Sequence, residues 1–208
     1  MSMKLIQGDC LPAMKEMPDN AFDLAIVDPD YGIKRFERGS LRFDKDNKYP
    51  DGLKFGGKPS PGYFIELFRV SKNQIIWGGN NFELPPTEYF VIWNKEQTVD
   101  NFASAEYAWT SCKVPAKVFT YSIHKHNHTT KIHPTQKPVA LYKWLLTKYA
   151  KPGQTILDTH LGSGSIAIAC HDYGYVLTAY EIDKEYFEAA TERIERHMSQ
   201  GQLFQAIG

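Results

Sequence analysis

Thr155-Ile156-Leu157-Asp158-Thr159-His160-Leu161-Gly162-Ser163-Gly164-Ser165 joins a short apolar run to a glycine-serine-glycine turn, and Ile166-Ala167-Ile168-Ala169-Cys170 then continues as an apolar helix. A strand passing through a tight turn into a helix is the unit from which parallel sheets are built. Glycines let backbone amides approach a ligand, and the N-terminus of the new helix favours anionic groups. A second strand-like run ends at Glu181, about twenty residues on, where an acid can accept from ribose hydroxyls. These residues fit a nucleoside cofactor without distinguishing nicotinamide, flavin or sulfonium types.

Outward from this unit, short β-rich runs alternate with helix-compatible stretches. Candidate strands cover 4–7, 22–27, 73–77, 89–93, 116–121, 155–158 and 175–180, and candidate helices cover 11–17, 62–70, 139–150, 163–173 and 184–198. The alternation predicts an α/β fold: a seven-stranded, mostly parallel sheet with helices on both faces, in one domain spanning 1–208. Residues 32–61 carry Gly, Pro, Asp and Lys with no sustained period, and they are expected to form a mobile loop. Residues 122–136 form a second irregular stretch, rich in His and Lys.

Ala25-Ile26-Val27-Asp28-Pro29-Asp30-Tyr31-Gly32 places a carboxylate, a proline carbonyl and an aromatic ring at the end of an apolar strand, the edge where open parallel sheets bind ligands. An exocyclic amino group is a weak nucleophile because its lone pair is conjugated with its ring. Hydrogen bonds accepted by Asp28 and by the Pro29 carbonyl localise that lone pair and stabilise the developing positive charge. Tyr31 is suited to stack on a base taken out of a duplex. Standing alone, the tetrapeptide reads equally as a turn with a capping Asp and a buried Tyr. His133-Pro134-Thr135-Gln136-Lys137-Pro138, a rigid donor-rich loop leading into a helix, reads either as a holder for an amino-acid carboxylate or as a helix-start turn.

Net charge is zero, but its distribution is uneven. Residues 107–157 hold eight lysines and no acid, residues 34–58 hold eight basic residues against four acids, and from Asp158 onward eight acids face three bases. Two segments are therefore suited to phosphate while the C-terminal part faces away, although a solvated face gives lysines the same distribution. Three scattered cysteines, Cys10, Cys112 and Cys170, the lack of a signal-like apolar start and the lack of a membrane-length apolar run predict a cytoplasmic protein. His124, His126, His128 and His133 lie close in sequence without Cys or acid nearby, so no metal site is expected.

Taken together, the segments resemble the DNA amino-methyltransferases that act on adenine N6 or cytosine N4, in the permuted order of the β group, where the catalytic tetrapeptide precedes the cofactor loop. The resemblance covers nearly the whole chain. Gly8-Asp9-Cys10-Leu11 is similar to the opening motif, Trp77 to Phe82, Ile92 to Lys95 and Ala105 to Trp109 to the intervening motifs, and His133 to Pro138 to the segment bordering the methionine end of the cofactor. It implies S-adenosylmethionine as cofactor and DNA as partner, with Asp28, Pro29, Asp30 and Tyr31 as catalytic residues. The implied cofactor-binding residues are Asp9, Cys10, His133, Thr135, Gln136, Lys137, Asp158, His160, Gly162, Ser163, Gly164 and Glu181. Lys34, Arg35, Arg38, Lys125 and Lys131 are the candidate DNA contacts, with 111–136 as a short DNA-facing region.

Two positions depart from the family pattern: Asp30 replaces its second proline, and His160 replaces a phenylalanine that packs on the cofactor. The acidic first residue of the tetrapeptide resembles the adenine-N6 subgroup. Alternatives are a catalytically impaired DNA-binding or regulatory subunit of the same fold, and methylation of cytosine N4, of RNA or of a protein glutamine. A homodimer or a partner subunit is a further way to supply DNA contacts.

Overall fold

Leu24-Ala25-Ile26-Val27 and Gln74-Ile75-Ile76-Trp77 are buried at every position, the signature of strands covered on both faces. They are β2 (Leu24–Val27) and β3 (Gln74–Trp77) of an eight-stranded sheet whose other members are β1 (Met3–Gln7), β4 (Phe90–Asn94), β5 (Ala105–Thr110), β6 (Lys117–Thr120), β7 (Thr155–Asp158) and β8 (Val176–Glu181). The computed structural model describes residues 2–32, 57–100, 102–123 and 131–207, with side chains through residue 200.

The sheet order is β1-β8-β7-β2-β3-β5-β4-β6. From β1 to β3 every pairing is parallel, so the C-terminal ends of five strands share one edge. β5 pairs antiparallel with both β3 and β4, while β6 runs parallel to β4. The start of β5 therefore returns to the edge at which β3 and β4 end. The expected seven strands become eight because 105–110 is a strand, in which a charged residue and two alanines obscure the pattern. β4 alternates buried and half-buried positions, as a strand with one less covered face does.

Helices cover both faces. α1 (Cys10–Glu16) and α2 (Pro61–Val70) lie on one side, where Met14, Tyr63, Phe64, Leu67 and Val70 pack on Ala25, Val27, Ile76 and Leu157. α3 (Val139–Tyr149), α4 (Ser165–Tyr173) and α5 (Lys184–Ile207) lie on the other, where Leu141, Leu145, Ile166, Ala190 and Ile194 pack on Leu24, Ile26, Ile75 and Ile156. Asp9 caps α1 by accepting from Leu11 N at 2.9 Å, and Pro61 opens α2, where a missing N–H costs nothing. Residues 165–170 of α4 are all buried, so this helix is a core element against which the rest is fixed. Truncating a fully buried side chain such as Leu67 or Leu145 to alanine costs about 2–5 kcal/mol.

Of the expected loop 32–61, residues 33–56 lie outside the described residues, as does the histidine-rich part of the second irregular stretch. Within 111–136, residues 117–120 are the edge strand β6. No described helix is long and apolar enough to cross a membrane.

Candidate active site

Because β1, β8, β7 and β2 are parallel neighbours, Asp9, Glu181, Asp158 and Asp28, each at or just past a strand end, line up along one edge. This carboxylate row has an electrostatic consequence. Asp158 is pushed up to about 8, by burial first and then by the neighbouring Asp28 and Glu181. Burial, and to a smaller extent Asp183, also raises Glu181 above the usual carboxylate range. Such an edge favours a cation.

The turn after β7 is tightly built. Asp158 Oδ1 accepts from His160 N at 2.9 Å, and Glu181 Oε2 accepts from Gly162 N at 2.8 Å. Glu181 Oε1 accepts from Asp183 N at 3.0 Å, so the acid stitches the glycine turn to the segment after β8. Gly164 caps α4 in the left-handed region (φ +73°), where an added Cβ would stand 2.8 Å from Ile194 Cδ1; only glycine meets both demands. Ser163 and Ser165 hydroxyls are 3.1 Å apart, and Arg193 donates to Ser163 O at 2.6 Å and to Ser165 Oγ at 3.1 Å.

His160 is half-buried by its neighbours, and the desolvation pushes its imidazole down to about 4 even though Asp28, Asp30 and Asp9 pull the other way. Its Nδ1 lies 2.9 Å from Thr159 Oγ1, which in turn lies 2.6 Å from the Tyr63 hydroxyl on α2. His133 is likewise held down to about 4, mainly by burial; its ring packs edge-on against Tyr186 with centroids 4.4 Å apart. His133 Nδ1 is 3.1 Å from Thr135 Oγ1, and Gln136 Oε1 accepts from Ile132 N at 3.2 Å, so the loop before α3 braces itself. Cys10 is buried, with its thiol pushed up to about 12, first by burial and then by Asp9.

At the end of β2, the Tyr31 hydroxyl donates to Asp28 Oδ1 at 2.7 Å, and Lys137 Nζ forms an ion pair with Asp28 Oδ2. The Tyr31 ring packs edge-on to Phe82, with centroids 6.2 Å apart, and lies directly over Gly78. Asp30, the departure from the family pattern, turns its Oδ1 to Gly32 N at 2.9 Å and closes the turn. Pro29 is buried. Lys137 is buried and meets a second acid, Glu106 Oε2, at 3.1 Å, an ion pair by distance rather than an aligned hydrogen bond. Lys95 Nζ meets Glu106 Oε1 at 2.5 Å.

The structure thus brings together Asp9, Cys10, His133, Asp158, His160, the 162–164 turn and Glu181 on one side of the edge, and Asp28–Tyr31 with Lys137 beside them. Lys131 is half-buried; burial and the nearby Lys95 cation hold its ammonium below the ordinary lysine value. Lys34, Arg35, Arg38 and Lys125 lie outside the described residues. Sequence reasoning did not single out Glu106 within its motif, nor Tyr63, Thr159, Gly78 or Arg193. Each also meets a residue distant in the chain (Lys137 for Glu106, Thr159 for Tyr63, Tyr31 for Gly78, Ser163 for Arg193), and no local pattern announces those contacts.

For the S-adenosylmethionine that the resemblance implies, the donor set fits: acids at two strand ends for ribose hydroxyls and amino groups, a glycine turn for close approach, and an anionic edge for a sulfonium. Asp9, Gly162, Gly164 and Glu181 are the residues that would hold it.

Two chemical clusters at the ends of adjacent parallel strands, one suited to a cationic nucleoside and one to an amino group, define the methyltransferase class. The family model described as DNA methylase matches residues 42–192, and the Type II methyltransferase M.HpaI of Haemophilus parainfluenzae is 37% identical over 94% of this chain and 75% of its own length. The chain belongs to this DNA methylase family, whose members act on adenine N6 or cytosine N4. The Type II methyltransferase M.HinfI of Haemophilus influenzae is 23% identical, over 91% of this chain and 67% of its own. Among solved structures, the fold is shared with M1.HpyAVI in complex with SAM (TM-score 0.60, 16% identity, 92% of this chain and 99% of that one). It is also shared with PvuII DNA methyltransferase, described as cytosine-N4-specific (TM-score 0.61, 13% identity, 96% and 92%).

Proposed function

We propose that this protein transfers a methyl group from S-adenosylmethionine to the exocyclic amino group of adenine in DNA. The observation that carries the reading is Asp28, an acid held at the end of β2 by Tyr31 and Lys137, next to the anionic cofactor edge. The bound cofactor supplies an electrophilic methyl. The protein's own residues do the rest. Each Asp28 oxygen keeps a lone pair beyond its present bond, so the carboxylate can accept one N–H of the base while the Pro29 carbonyl accepts the other. This localises the nitrogen lone pair and stabilises the positive charge that develops on it. The bonding of Asp30 to Gly32 N favours an active enzyme, because the substitution closes the turn and leaves Asp28 bound as described.

Adenine rather than cytosine is supported by the acidic first residue of the tetrapeptide. The basic segments support DNA. Lys137 and the 133–136 loop border the methionine end of the cofactor in this reading, and Lys34, Arg35, Arg38, Lys125 and Lys131 are its candidate phosphate contacts.

The test is transfer of labelled methyl from the cofactor to DNA, followed by digestion and identification of the modified nucleoside. N6-methyladenine is expected; N4-methylcytosine overturns the choice of base, and binding of DNA without transfer overturns the enzyme reading. Asp28→Ala is expected to lower the transfer rate by at least about 100-fold with cofactor affinity held within about threefold. Asp28→Asn, which keeps the shape and removes the charge, separates chemistry from loss of folding.

A further inference from the structure

The strand arrangement that places Asp28 also places a second acid behind it. β5 runs antiparallel to β3 and β4, with Trp77 opposite Ala108 and Trp93 opposite Glu106. Glu106 therefore emerges at the edge where β2 and β3 end, beside Lys95, the residue following β4. There the side chains alternate in charge from the protein's flank to the reactive carboxylate: Lys95, Glu106, Lys137, Asp28. The ammonium of Lys137 lies between two carboxylates and 5.3 Å from the centre of the Trp77 ring.

We infer that Glu106 is a positioning residue for methyl transfer, acting through Lys137 to hold the Asp28 carboxylate in its working orientation; this rests on the reading of Asp28 given above. Lysine carries a compact charge on a flexible four-carbon stem with no directional fork, so one carboxylate does not fix where its ammonium sits. A second acid in contact with the same ammonium does. Lys137 has only 3% of its side chain exposed, and burial by itself would lower its affinity for a proton; Asp28 and Glu106 reverse that and raise it above the ordinary lysine value. Glu106 is in turn stabilised as an anion. Burial works against its charge, but Lys137 and Lys95 outweigh burial and bring it down to about 2.

The arrangement matters most during the reaction. As positive charge grows on the base nitrogen, the Asp28 carboxylate is shared with a new partner and its hold on Lys137 weakens. Glu106 remains as the counter-charge that keeps the ammonium protonated and in place, so Asp28 is not drawn away from the base. A purely structural ion pair on the flank would leave turnover untouched. Glu106 is instead one residue removed from the reacting group.

Glu106→Gln keeps the shape and removes the charge. It is expected to lower kcat about tenfold or more while KM for the cofactor stays within about twofold. In a Lys137→Gln background the same change is expected to have no further effect, because Glu106 acts only through that ammonium. Lys95→Gln, more peripheral, is expected to act in the same direction with a smaller loss, and it serves if Glu106→Gln does not fold. The ammonium can also be followed without turnover. In 15N-lysine spectra the Lys137 signal, assigned by its loss in Lys137→Gln, is expected to broaden or shift in Glu106→Gln. An active wild type with unchanged kcat in Glu106→Gln, or losses that simply add in the double variant, overturns the inference and leaves the methyltransferase reading standing. A wild type that transfers no label overturns that reading, and an unchanged Lys137 signal then overturns this one as well.

Discussion

At the scale of single residues, His160 is one of two places where this chain departs from the pattern of its family, and the cost is measurable. The imidazole ordinarily gains a proton near 6.5, but the folded protein withholds it down to about 4, chiefly through burial. Between those values the unfolded chain is protonated and the folded one is not, so stability present at neutral pH is lost as pH falls. His160→Phe removes this penalty. At pH 5 the variant is expected to gain about 2 kcal/mol relative to wild type, roughly 5 °C in melting temperature for a domain of this size. At pH 7.5 most of that difference should disappear; an equal shift at both pH values would assign the gain to packing alone. The residues legible in the sequence were those whose chemistry is local, such as Asp28 beside Pro29 or Gly162 beside Gly164. The ion pair of Lys137 with Asp28 spans 109 positions, and nothing near either residue announces it.

At the scale of elements, the parallel core was legible because β2 is a continuous apolar run and β3 and β7 carry uninterrupted apolar stretches bounded by turns. β5 was not. It mixes Glu106 with Ala105 and Ala108, and its burial rises along its length instead of alternating. The antiparallel return of this strand is what delivers Glu106 to the site, so missing the strand meant missing the residue. The turn after β3 shows the same dependence. Gly78 lies in the left-handed region (φ +64°), and a Cβ built there would stand 2.2 Å from the Tyr31 ring. Gly78→Ala must strain the turn and displace the ring, which breaks the Tyr31 bond to Asp28. We expect methyl transfer to fall about tenfold or more, a loss of the kind seen when one positioned donor is removed. Tyr31→Phe should produce part of the same loss without the strain. Unchanged transfer by Gly78→Ala, measured with saturating cofactor, would show that the ring's seat is irrelevant to turnover.

At the scale of the whole molecule, the buried titratable groups act in opposite directions on either side of neutrality. His160 and His133, both held near 4, favour unfolding as pH falls below 6.5. Glu106, held at about 2 against an ordinary 4.5, adds to the loss in stronger acid. Asp158 works the other way: the folded protein keeps its proton up to about 8, whereas the unfolded chain loses it near 3.8. In that window the folded state binds the additional proton, so stability declines as pH rises. Below 6.5 the two histidines work against Asp158 and the likewise raised Glu181; above it Asp158 carries the decline, until Cys10 and Cys170, raised from 9.0 to about 12, extend it beyond pH 9. The melting temperature without added cofactor should therefore peak at about pH 6–7 and fall on both sides, with a slope between 6.5 and 8 of at most about 1.4 kcal/mol per pH unit. Asp158→Asn, which can still accept from His160 N but does not titrate, should flatten that stretch and steepen the acid side, where Asp158 no longer offsets the two histidines. Thermal melts of both proteins from pH 5 to 9 decide it: a wild type whose stability holds or rises between 6.5 and 8 would mean that Asp158 is ionised in the folded protein and that the carboxylate row is already balanced by its own cations.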